Sequence, residues 1–111
     1  MKNKMIIISL LITPLAYGAD PEHGLPTSND QLGNFIQSYL RETPTCIMYI
    51  DPLYQHILIR WTGRPNGFRY STYREGLILQ RVNRLYRTFT EEQAQALFSQ
   101  LRRDFPEQVF T

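Results

Sequence analysis

The sequence predicts an α+β domain: a two-layer sandwich with an N-terminal helix, three to four mostly antiparallel strands and a C-terminal helix. Two observations carry this. Segments with helical apolar spacing and N-terminal capping residues stand at either end of the chain. Between them lie short runs rich in aromatic and β-branched residues, separated by turn formers. A third observation, the composition, agrees. Of 111 residues 42% are hydrophobic, 13% aromatic and 20% charged, enough apolar material for one core and too little chain for two domains.

The first residues, MKNKMIIISLLITPLAYGAD, are set aside before the fold is read. Lys2 and Lys4 precede an apolar run from Met5 to Leu15, and Ala16-Tyr17-Gly18 supplies small residues before a cut between Gly18 and Ala19. This is the three-part pattern of a secretory signal peptide over 1–18. The apolar run falls short of the ~20 residues that span a bilayer comfortably, so an uncleaved signal anchor is the rival reading and no stable membrane anchor is expected. A lipid anchor would need a cysteine just after the run, and the only cysteine is Cys46. The sequence thus predicts a periplasmic or secreted product.

Residues 19–27 (ADPEHGLPT) hold two prolines and a glycine and read as a flexible leader, with a single domain over 28–111. Ser28 with Gln31 has the spacing of a capping box. Leu32, Phe35, Ile36, Tyr39 and Leu40 then make one apolar helical face, which Pro44 ends. Thr45–Asp51 is apolar on both faces and suits a central strand. His56–Thr62 is a second strand, and the turn formers Gly63–Gly67 close a hairpin onto a third strand, Phe68–Arg74. Glu75-Gly76 reads as a break. Leu77–Val82 is read as a fourth strand, although Val82, Leu85, Tyr86 and Phe89 also fit a helical face; residues 83–89 stay open between strand, loop and helix. Thr90 with Gln93 is a second capping box, with Glu91 and Glu92 in the first turn, where carboxylates favour the helix dipole. Ala94, Leu97, Phe98 and Leu101 form its buried stripe, and Arg102 and Arg103 close it. Phe105, Val109 and Phe110 are apolar enough to dock back or to meet a partner.

Without residues 1–18 the chain carries ten arginines, no lysine and ten acids. A net-neutral exported chain gives no case for nucleic acid. The charges are nevertheless unevenly placed: residues 60–87 hold seven arginines and one acid, between acidic flanks. Such charges either pair across a solvated surface or face an anionic partner. No nucleophile elbow, phosphate loop or multi-His metal motif occurs, so no enzyme activity, cofactor or metal is expected. Cys46 reads as a buried small hydrophobe, or as a thiol bridging two copies, which leaves a homodimer open.

The residues that invite a functional reading are Arg60, Arg64, Arg69, Tyr73 and Arg74. Arginine forks pair with carboxylates and stack on aromatics, and Trp, Tyr and Arg dominate interface hot spots. Strand alternation places Arg60, Arg69 and Tyr73 on the outer sheet face, with Trp61 and Tyr70 inward. The expected partner is another protein of the cell envelope, in the manner of an inhibitor, an immunity-type factor or an accessory subunit. The alternative is an anionic small molecule or envelope polymer held by the same arginines.

Overall fold

The computed structural model describes residues 20, 22–61 and 72–111. Residues 1–18, for which a signal peptide is expected, the 63–67 loop, Arg64, Arg69 and Tyr70 lie outside the described residues, as does most of the strand expected over 68–74. The elements run α1 (Asn29–Glu42), β1 (Cys46–Asp51), β2 (His56–Trp61), α2 (Tyr73–Tyr86), α3 (Glu91–Asp104) and β3 (Val109–Phe110). The sheet order is β2-β1-β3. β1 and β2 pair antiparallel with Tyr49 opposite Leu58, and β3 joins the other side of β1 in parallel with Phe110 opposite Tyr49. The fold is α+β, and β1 is the central strand that its two apolar faces predict.

The three helices of the described residues contribute to one core on one side of this sheet. Cys46, Met48 and Ile50 of β1, Ile57, Ile59 and Trp61 of β2, and Val109 of β3 point into it. Leu32, Ile36 and Leu40 of α1 and Ala94, Leu97 and Leu101 of α3 meet them, as the 3.6-residue spacing predicts. The capping box at Thr90 and Gln93 is formed. The one at Ser28 is not: Gln31 turns its Oε1 to the backbone N–H of Thr27 at 2.8 Å instead.

The middle of the chain corrects the strand assignment. Tyr73 to Tyr86 is one helix, so the end of the expected third strand, the break at Glu75-Gly76 and the fourth strand over Leu77–Val82 all fall inside α2. The physical reason is a complete capping box. Thr72 Oγ1 accepts from Glu75 N at 3.1 Å, and Glu75 Oε1 accepts from Thr72 N at 3.0 Å. Together these satisfy two donors that an uncapped helix start leaves orphaned. Ile78, Val82, Leu85 and Tyr86 then bury one helical face. The third strand of the sheet is the tail, β3, which docks back on β1.

The stretch read as a leader is also part of the packed structure from Glu22 onward. Leu25 joins the core. Arg81 donates to Pro26 O at 2.7 Å and pairs with Glu22 at 2.6 Å, and Arg74 donates to His23 O at 2.8 Å. Two arginines of the basic block thus hold the N-terminal strap to α2.

Side-chain amides tie the layers together. Gln108 Nε2 lies 3.0–3.1 Å from the carbonyls of Leu40, Thr43 and Cys46, joining the end of α1 to β1. Gln55 Nε2 reaches Tyr86 O and Phe89 O, each at 2.8 Å, from the β1–β2 turn. Of these acceptors Leu40 and Tyr86 lie in the last turns of α1 and α2, where carbonyls lack an intrahelical partner, and Thr43 is the C-cap of α1. Gln55 has φ of +54°, a left-handed conformation that lets the turn close in four residues.

Candidate functional site

Strand alternation decides what the sheet shows on the face opposite the described helices. Since 46, 48, 50, 57, 59 and 61 point inward, residues 47, 49, 51, 56, 58 and 60 point out. Register then aligns Leu58, Tyr49 and Phe110 in one row across all three strands. Leu58 is 52% exposed and Tyr49 37%. The Tyr49 and Phe110 rings lie 6.2 Å apart in a tilted arrangement, and the Arg102 guanidinium stands 5.3 Å over the Phe110 ring. That contact fixes a cation at the β3 end of the row. Ile47 and Arg60 flank the row on one side, Asp51 and His56 on the other.

The turn beyond β1 extends this surface. Asp51 Oδ1 accepts from the amides of Leu53 at 3.0 Å and Tyr54 at 3.2 Å, which sets the turn and leaves both side chains outside. Tyr54 is 77% exposed. Tyr49, Asp51, His56, Leu58 and Thr111 line a shallow depression in the face, and Pro52, Leu53, Glu91, Glu92 and Ala96 line another where the turn meets α3.

The residues singled out in the sequence separate in space. Arg60 is exposed on β2, on the outer face as expected, with Trp61 inward. The indole Nε1 of Trp61 donates to Tyr39 Oη at 2.6 Å. Burial of the Tyr39 ring raises its phenol above the usual value. Tyr73 and Arg74 do not join Arg60 on the sheet, because they form the first turn of α2; Tyr73 is exposed there and Arg74 binds the strap. Arg64 and Arg69 lie outside the described residues. Cys46 is fully buried, and the loss of solvent pushes its thiol up to about 12. Among the described residues no group of three His, Cys, Asp or Glu side chains is placed to hold a metal ion, and no helix is long and apolar enough to cross a membrane.

The chain matches no family model, and no curated protein or solved structure matches it significantly.

Sequence reasoning missed Leu58, Tyr49 and Arg102 as site residues. A signal for the first two was present. A half-covered sheet places polar residues on its outer face, and here that face carries Ile47, Tyr49 and Leu58. The central position of β1 accounts for its two paired edges; the apolar residues on its second face call for a further explanation. Arg102 gave no such signal, since its place at the end of α3 satisfies the helix dipole whether or not it reaches Phe110.

Proposed function

We propose that this is a small exported, non-enzymatic protein that binds another protein through the face of its sheet opposite the described helices. The single observation that supports the reading is the row Leu58–Tyr49–Phe110, with Leu58 and Tyr49 exposed and Phe110 half-buried, bounded by Arg102 at one end and flanked by Arg60. Aromatic and arginine side chains around an apolar centre are the composition of an interface core. An exposed strand face of a lone domain would otherwise carry polar residues. The N-terminal export pattern supports a partner in the cell envelope, such as the target of an inhibitor, the toxin of an immunity-type factor, or a larger machine that the protein serves as accessory subunit.

Capture from a native envelope extract tests this. Wild-type protein and the double variant Leu58→Ser with Tyr49→Ser are compared at two salt concentrations. The reading requires a captured protein that the variant loses while its thermal midpoint stays within a few degrees. Capture that survives the double variant but collapses with salt would instead support an anionic polymer held by the arginines.

A further inference from the structure

We infer that the depression between the β1–β2 turn and the start of α3 is a second docking surface, and that its occupant is a basic segment of another protein. That segment sets an apolar side chain on Pro52, Leu53 and Ala96 and a lysine or arginine on Glu91 and Glu92. The inference goes beyond the sheet-face reading, because no residue of the Leu58–Tyr49–Phe110 row takes part.

The apolar part of the surface is held out by a fixed turn. Asp51 Oδ1 accepts from the amides of Leu53 and Tyr54 at one end of the turn. At the other end Gln55 Nε2 donates to Tyr86 O and Phe89 O. Leu53 is nevertheless 66% exposed, and Ala96 faces it from an exposed position on α3. Turns usually carry small polar residues. An apolar side chain presented by a turn that is already ordered costs little further entropy when it is covered. The depression measures about 550 Å³. That lies within the ~300–1,000 Å³ range of small-ligand sites, so it takes a few side chains and not a folded face.

Charge complementarity names the occupant. Among the described residues the lining holds two carboxylates, Glu91 and Glu92, and no cation. Neither carboxylate has an arginine partner or a hydrogen bond. The start of α3 does not consume them either, since the capping box of Thr90 and Gln93 satisfies its donors. Asp51 adds a third negative charge at the base of the turn, with His56 opposite it on β2. Arg87, exposed after α2, does not line the depression. Arg102 and Arg103 stand at the far end of α3, ~15 Å from Glu92 at 1.5 Å per residue and beyond the ~8 Å screening length of physiological salt. An arginine of the occupant can meet a carboxylate bidentately while its stem lies along apolar surface.

The test places the photoreactive residue p-benzoylphenylalanine at Leu53 in the full-length protein in its native host, with the same residue at exposed Gln80 of α2 as control. The cross-linked peptide is then sequenced. The expected product joins position 53 to a stretch of another protein with Lys or Arg within a few residues of the attachment point. Glu91→Gln with Glu92→Gln should reduce its yield at least fivefold, whereas Glu91→Asp with Glu92→Asp should retain most of it. Both pairs of substitutions keep the capping box that starts α3. A yield indifferent to the loss of both carboxylates overturns the inference, as does attachment to a second copy, to non-protein material or to a stretch without Lys or Arg. So does a yield at position 53 no higher than at position 80. The same photoreactive residue at position 58 separates the two surfaces. A product at 58 with none at 53 removes this surface and leaves docking on the sheet face intact; a product at 53 with none at 58 does the reverse.

Discussion

Asn83 pairs with both main-chain polar groups of Ile57. The Ile57 N–H donates to Asn83 Oδ1 at 2.8 Å, and Asn83 Nδ2 donates to Ile57 O at 2.8 Å. Two adjacent antiparallel strands exchange the same pair of bonds. One side chain of α2 therefore does for β2 at this position what a further strand would do. The same two bonds fix α2 beside the sheet, and the Asn83 amide is itself oriented by donating to Leu79 O, one turn earlier in α2, at 2.9 Å.

Asn83→Leu should therefore be costly although the volume is nearly kept. It leaves the N–H and C=O of Ile57 without partners in a buried site, and each such group costs about 1–3 kcal/mol. The expected loss is about 2–4 kcal/mol in urea denaturation, with the slope unchanged. A midpoint equal to wild type would mean that water reaches Ile57 as readily as Asn83 does.

Cys46 predicts how stability depends on alkali. Its thiol is raised by burial from 9.0 to about 12, and Tyr86, raised mainly by burial from 10.0 to about 12, acts in the same direction. The unfolded chain releases these protons first, so above pH 9 it binds fewer protons than the native state. Stability then falls as pH rises. The contribution is intact below about pH 9 and is lost progressively toward pH 12. Denaturation midpoints measured from pH 7 to pH 11 should decline from about pH 9, and Cys46→Ala should move the onset of the decline upward toward the tyrosine range. The same burial makes the native thiol inert: a disulfide reagent should label it only at the rate of chain opening, and rapid labelling at pH 8 would contradict the packing of β1.

The two outer helices were legible because each states its start, its apolar period and its end within one short segment. Leu32, Ile36 and Leu40, and Ala94, Leu97 and Leu101, needed no distant partner to be read. α2 was misread for a local reason. The aromatics Phe68, Tyr70 and Tyr73 suggest a strand, and Leu77, Leu79 and Arg81 alternate as a fourth would, while the Thr72-x-x-Glu75 capping signal went unused. β3 is two residues long and exists only by pairing with β1, about 60 residues earlier, so no local pattern announces it. The amide ties of Asn83, Gln55 and Gln108 are invisible for the same reason, since most of their partners lie 26 to 68 residues away. Of the site, Arg60 could be read from alternation; the row it flanks required the register of three strands.

Gly33 lies inside α1, where glycine is unfavourable because it adds backbone freedom to the unfolded chain. A Cβ built there would meet Leu97 Cδ1 at 3.5 Å, an ordinary contact. Nothing in the packing of α1 against α3 therefore requires glycine. Gly33→Ala should stabilise the protein by about 0.5–1 kcal/mol, read as a rise of a few degrees in the thermal midpoint. A loss of stability would show that α1 and α3 approach each other more closely than this contact implies.

Leu58 and Leu97 offer a matched pair, one residue type in two roles. Leu97 lies under α3 in the core, whereas Leu58 stands half in solvent on the sheet face. Leu97→Ala opens a cavity and should cost about 2–5 kcal/mol. Leu58→Ala removes little buried area and should stay within about 0.5 kcal/mol of wild type, as surface changes usually do. Partner capture should show the opposite order at a temperature where both variants are folded, with Leu58→Ala impaired and Leu97→Ala retained. Arg64→Ala with Arg69→Ala completes the comparison. If the arginines of 60–74 act as a unit, this double variant should also weaken capture without moving the thermal midpoint. If it leaves capture intact while Leu58→Ala abolishes it, recognition is confined to the sheet row and its own two arginines.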